Sequence, residues 1–124
     1  LNIRIDNDVK LLTSGNEHSI PPGVNHMFYN QSDKQVIFDV EINNPGKMVN
    51  ALQIMYGLAN AGLSYKNGLP KNVFHTAIGL NMMDAFSPKI PYLLQKGSIS
   101  TIAFLGKIIG IEKTLIEKHC IPNK

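Results

Sequence analysis

The amino-acid sequence predicts an α+β protein in which strands come first and helices follow. Over the first 43 residues apolar side chains alternate with polar ones, and from Met48 onward they recur at helical spacing. The change falls at Asn43-Asn44-Pro45-Gly46, a run of turn-forming residues. Because strands segregated from helices are typical of α+β proteins, we expect one domain whose two parts meet near residue 45.

The strand region divides into a hairpin and three further segments. The hairpin is predicted at 3–11, where the alternation stops at an Asp-Asn-Asp turn and then resumes. The other strands are expected at 17–20, 24–30 and 36–42. The last of these shows the clearest alternation in the chain, with Val, Phe, Val and Ile on one face.

Three helical regions are predicted in the second part of the chain. The first covers 48–62, the second 73–85 and the third 92–118. The third contains three glycines that weaken it, Gly97, Gly106 and Gly110.

Composition and charge exclude some partners and leave others open. The net charge of +3 comes from scattered lysines, so it does not favour nucleic-acid binding. No stretch is long and apolar enough to predict a membrane span. The charged fraction is 17%, below the roughly 25% that is usual, which is explained equally by chance or by a surface that a second subunit covers. A single cysteine, Cys120, fits a reducing compartment, and we expect a cytoplasmic protein.

The most specific pattern in the sequence is a spaced set of turn and polar residues that ends in a strand. It reads Gly15, five residues, Pro21, one residue, Gly23, two residues, His26, three residues, Asn30. The glycines permit turn conformations, and the prolines stiffen the approach to the next strand. His26, Phe28 and Asn30 would then share one face of that strand.

This pattern resembles the second conserved motif of the cupins, G-x5-P-x-G-x2-H-x3-N. The C-terminal part of the chain, which we call the tail, is similar to that of small single-domain cupins. These carry L-x-I-x-Y-G-L-A, G-L-P-K-N and P-x-x-L-Q-K segments. Here these segments are Leu52–Ala59, Gly68–Asn72 and Pro91–Lys96. The resemblance implies half of an antiparallel jelly-roll β-barrel at about 1–43, within a first segment 1–45, and a helical extension at 46–124 packed on the same domain.

The resemblance implies a metal site that this chain does not complete. In metal-binding cupins the histidine that matches His26 is a ligand, but the H-x-H pair of the first motif does not occur in this sequence. A divalent transition metal would therefore need ligands from a segment before Leu1. Half a barrel also leaves sheet edges unpaired, which could be resolved by such a segment, by a partner chain or by helices that cover the open sheet. Of these we expect a homodimer, because the set of strands is incomplete and the charged fraction is low.

Three functions remain as hypotheses. The first is a small-molecule-binding protein without an assigned reaction, whose pocket is formed by His26, Phe28, Asn30, Phe38 and Val40. The second is a metal-dependent oxygenase or isomerase, and the third is a structural or dimerisation module. For several further residues a structural, core or solvated position is the simpler interpretation: Glu17, His18, Met27, Glu41, Met48, Met55, His75, Met82, Met83, His119 and Cys120.

Overall fold

A computed structural model describes residues 1–121 and contains three strands and four helices in that part of the chain. The chain divides into two compact units, which we call the sheet unit, Leu1–Glu41, and the helical unit, which begins at Ile42. All strands precede all helices, so the predicted α+β class is confirmed. No helix within the described residues combines the length and the apolar character needed to cross a bilayer.

The sheet unit contains a small open antiparallel sheet. Its strands are β1 (Asn2–Ile5), β2 (Asp8–Leu11) and β3 (His26–Tyr29), in the order β2-β1-β3. The predicted hairpin joins β1 to β2, and its turn places Asp6 at φ 51°, a left-handed conformation that Asp tolerates better than most residues. The register pairs Ile3 with both Lys10 and Phe28.

The predicted jelly-roll barrel half is wrong. The sheet has three strands and does not close, and the expected strands at 17–20 and 36–42 are not formed. A strand needs a neighbour to accept and donate its backbone hydrogen bonds, and an alternating pattern does not supply one. Segment 36–42 therefore keeps its apolar alternation without joining the ladder, and Phe38 and Val40 on its apolar face stay 45% and 58% exposed.

The helical unit contains four helices around one apolar cluster. They are α1 (Met48–Asn60), α2 (Val73–Met83), α3 (Tyr92–Ile108) and α4 (Ile111–His119). The predicted third helical region is split, because Gly110 adopts φ 83° and ends the first of its two helices. The cluster takes residues from every helix: Ala51, Ile54, Leu58, Ala77, Ile78, Met82, Ala103 and Leu115.

The Gly-Leu-Pro-Lys-Asn segment between α1 and α2 has a structural role. The Lys71 ammonium donates to the Gly62 carbonyl at 2.9 Å, two residues beyond the last residue of α1, and thereby ties the loop to that helix end. The Asn72 side chain accepts from the backbone N–H groups of Phe74 and His75 and caps the start of α2. One short segment therefore stabilises the ends of two helices.

Gln95, near the start of α3, fixes the segment that precedes this helix through hydrogen bonds. Its side chain is buried, donates to the carbonyls of Ser87 and Ile90 at 2.7 Å each, and accepts from the Ser87 N–H at 2.9 Å. Because all three bonds are made, the burial of this amide carries no desolvation penalty from an unmet group. Two of the three tail segments that support the family resemblance thus contribute to helix ends and loops, and the third, Leu52–Ala59, lies inside α1.

Candidate functional site

His26 begins β3 and lies on the same face of the sheet as Ile5 and Phe28. Its side chain is exposed, and its Nδ1 lies 2.9 Å from the carbonyl oxygen of Val24. A carbonyl can only accept, so Nδ1 carries the proton in the neutral ring and Nε2 keeps its lone pair. The ring is thus held in one tautomer, with Nε2 available as a hydrogen-bond acceptor or metal ligand.

The turn residues before His26 behave as the sequence predicts. Gly15 and Gly23 adopt φ values of 82° and 81°, where any other residue would be strained. Asn16 closes the first turn by accepting from both the N–H and the hydroxyl of Thr13. Pro21 lies on the exposed loop between these glycines. The sequence between β2 and β3 therefore contains two turns, at 14–15 and 22–23.

Two phenyl rings form a row with the His26 imidazole. The Phe28 ring lies edge-on to the His26 ring with centroids 5.8 Å apart, and its centroid is 5.3 Å from that of Phe38. These distances are typical of favourable aromatic pairs. Phe28 is half-buried and Phe38 is 45% exposed. We call His26, Phe28 and Phe38 the aromatic row.

The other two predicted pocket residues do not join the aromatic row. The Asn30 side chain is occupied by a turn: its Nδ2 donates to the Lys34 carbonyl at 2.7 Å, and its Oδ1 accepts from the backbone and hydroxyl of Ser32. Val40 is 58% exposed in a segment without regular structure. The Asn of the motif therefore shapes the chain after β3.

The remaining polar candidates of the sheet unit lie on its surface. Glu17, His18 and Glu41 are all exposed. Across residues 1–121, no three His, Cys, Asp or Glu side chains come close enough together to hold a metal ion. The metal role of His26 stays a prediction that depends on ligands the described residues do not provide.

The helical unit brings together two histidines that the sequence did not connect. His75 on α2 has its pKa lowered from 6.5, first by burial and then by the positive potential of His119 and Lys118 on α4. The His119 ring lies directly against Gly57 of α1, where a Cβ would collide with it. Burial also raises the pKa of the Cys120 thiol, so this cysteine is not an activated nucleophile. The positions of His75 and His119 in the sequence do not predict that these two residues lie near each other.

A shallow groove of about 430 Å³ lies in the helical unit between α3 and α4. It is lined by Lys107, Glu112, Lys113, Ile116 and Glu117. Its charges alternate in sign and are largely exposed to water, so it lacks the apolar enclosure that is typical of small-molecule sites.

Two exposed apolar surfaces were missed by the sequence reasoning. One is the sheet face opposite His26, where Val9 and Met27 flank Arg4 and are 53% and 46% exposed. The other is the outer side of α3, where Leu93 is 82% exposed and Phe104 62%. Both consist of residue types that usually indicate a core, so neither could be recognised as a surface from the sequence.

Comparison with known proteins does not add a family. No family model matches the chain, and no curated protein or solved structure matches it significantly. The resemblance to the cupins rests on the sequence motifs alone.

Proposed function

We propose that the sheet unit binds a small molecule on the aromatic row. The observation that carries this proposal is the fixed tautomer of His26: Nδ1 is bonded to the Val24 carbonyl, and Nε2 remains an open acceptor next to Phe28 and Phe38. No hydrogen bond to Nε2 is made by any of the residues 1–121. A polar group beside apolar surface is the combination that orients ligands in binding sites.

The chemistry of the site defines the ligand class. The ligand needs an O–H or N–H group that donates to Nε2, because that nitrogen has a lone pair and no proton. It also needs an apolar or aromatic body that covers Phe28 and Phe38, since aromatic rings pair favourably edge-on or offset. Phenol is the simplest molecule that meets both needs.

Phenol titrations followed by amide chemical shifts test this proposal, with toluene as the matched probe that lacks the hydroxyl. We expect phenol to shift the amide signals of β3 and Phe38, and His26→Ala to weaken phenol binding by about tenfold while leaving toluene unchanged. Phe38→Ala should weaken both probes. The proposal fails if β3 signals do not move, or if His26→Ala affects phenol and toluene equally.

Two expectations from the sequence also stand as proposals. A cytoplasmic location is supported by the free thiol of Cys120, which is half-buried with its Sγ 3.6 Å from the Asn50 carbonyl oxygen. A homodimer is supported by a different part of the molecule, the outer side of α3, and is independent of the ligand site.

A further inference from the structure

The outer side of α3 is an apolar surface that no described residue of the helical unit covers. At 3.6 residues per turn its members follow one side of the helix. We call this the α3 face, formed by Leu93, Leu94, Gly97, Phe104, Leu105 and Ile108. The five large side chains are 82%, 64%, 62%, 49% and 64% exposed in that order. No Asp or Glu occurs anywhere in α3.

The opposite side of α3 already packs within the helical unit. Ala103 is buried in the apolar cluster, and Gly106 approaches α2 so closely that a Cβ would lie 3.0 Å from Ile78 and 3.3 Å from Phe74. A helix with one apolar side facing its own core normally presents polar residues on the other side. The apolar character of α3 on both sides therefore indicates a second packing partner.

The area of the α3 face is sufficient for a specific interface. Scaled by side-chain size, the five exposed fractions correspond to roughly 600 Å² per chain, so two such faces in contact would bury about 1,200 Å², the lower end of stable protein interfaces. A patch of this size also lies at the upper end of what monomeric proteins expose.

Gly97 provides a space on this face that the chain itself does not use. A Cβ at this position would meet nothing within 4 Å, and its φ is that of an ordinary helix. Glycine in a helix interior lowers stability relative to alanine, and no contact within the described residues requires it here. A small residue on an apolar helix face lets a large side chain of another helix approach.

The arrangement of the face is self-complementary. Along the sequence of α3, Gly97 and Phe104 are equally far from the point between Ser100 and Thr101. Leu93 and Ile108 are also equally far from that same point. A two-fold axis at that point would place Phe104 of each copy beside Gly97 of the other, and Leu93 opposite Ile108. An isologous contact requires this kind of correspondence.

We propose that the α3 face is a homodimer interface, in which two copies pack α3 antiparallel about a two-fold axis between Ser100 and Thr101. Phe104 of each copy fills the space beside Gly97 of the other. The interface concerns the helical unit and goes beyond the ligand site proposed for the sheet unit.

Sedimentation equilibrium of the full 124-residue chain over a concentration series tests the interface. We expect the wild type to dimerise at micromolar concentrations, and Phe104→Ala to weaken the dimer at least about tenfold, because a central aromatic anchor is lost. Tyr56→Ala is the matched control: Tyr56 is 68% exposed on α1, and its removal should leave the dimer unchanged.

Gly97→Ala separates association from folding. It should raise the denaturant midpoint of the monomer, measured below the dissociation constant, because alanine favours the helix and meets no neighbour. It should also weaken the dimer about tenfold, since the methyl group occupies the space for Phe104. A variant that folds better and associates less cannot be explained by misfolding.

A cysteine on the axis tests the register. Thr101→Cys in a Cys120→Ser background should form an intermolecular disulfide on mild oxidation, whereas Tyr56→Cys in the same background should not. The proposal is overturned if the wild type is monomeric at about 100 µM, if the dimer survives both Phe104→Lys and Gly97→Leu, or if Thr101→Cys does not cross-link. Binding of a monomeric wild type to phosphatidylglycerol vesicles would overturn it in favour of a membrane surface.

Discussion

The helical unit and the sheet unit differ in how much apolar side chain each buries. Eight apolar residues from all four helices form the buried cluster of the helical unit. Within Leu1–Glu41 only Ile3 is buried, at 1% exposure. A helix makes its backbone hydrogen bonds internally, so it needs a neighbour only to bury its apolar face. A strand needs a neighbour both for its backbone hydrogen bonds and for the burial of its side chains. The apolar side chains therefore form a core in the helical unit and stay largely exposed in the sheet unit.

Paired core substitutions test this difference and carry the largest expected effect. Ile54 is fully buried in α1, so Ile54→Ala should lower the unfolding free energy of the helical unit by about 2–5 kcal/mol. Denaturant unfolding followed by far-ultraviolet circular dichroism measures it. Ile3→Ala should leave that helical transition unchanged and accelerate amide exchange only in the sheet unit, where β1 pairs with both β2 and β3.

Val49→Ala is the control for the helical unit, since Val49 is 47% exposed on the same helix. A single cooperative transition that Ile3→Ala and Ile54→Ala shift equally would show that the two units unfold together, and the contrast between them would be lost.

The sequence predicted the helical unit far better than the sheet unit for the same reason. Helical spacing located α1 and α2 to within two residues at each end, and Gly110 marks the break that divides the third region. The alternation at 36–42 was the clearest in the chain, yet no strand forms there. Periodicity describes which face is apolar and contains no information about whether a pairing strand is present.

The candidate site was predicted in part. Strand periodicity correctly placed His26 and Phe28 on one face, but it could not show that Asn30 would turn its amide toward Lys34. The approach of Phe38 to Phe28 depends on the path of a segment without regular structure, which follows no sequence period. Contacts between elements, such as His75 with α4, likewise require the tertiary packing.

The next largest effect is expected at the contact between α1 and α4. Gly57→Ala would place a methyl group in the His119 ring, so the unfolding free energy should fall by about 1–3 kcal/mol. In a His119→Ala background the ring is gone, and Gly57→Ala should instead be neutral or stabilising through helix propensity. Thermal unfolding of the four variants measures this coupling. An equal loss in both backgrounds would show that His119 is not the obstacle.

A smaller effect is expected at the cap of α2. Asn72→Ala removes the acceptor for the Phe74 N–H at 2.8 Å, and should cost about 1 kcal/mol of unfolding free energy. Asn72→Asp keeps an acceptor at this position and should retain most of the stability. If alanine and aspartate proved equally destabilising, the loss would come from the loop rather than from the cap.

The smallest effect is a pH dependence that arises from His75. Because burial and the charges of His119 and Lys118 lower its pKa in the folded state below 6.5, the unfolded chain binds the proton more readily. The unfolding free energy should therefore decrease as the pH falls through 6.5, and level off once the pH is below the folded pKa. Urea unfolding between pH 8 and about pH 5 measures the slope. His75→Gln should make the slope of unfolding free energy against pH smaller, and the slope that remains comes from the other histidines. If the substitution leaves the slope unchanged, the pH dependence arises from those histidines and not from His75.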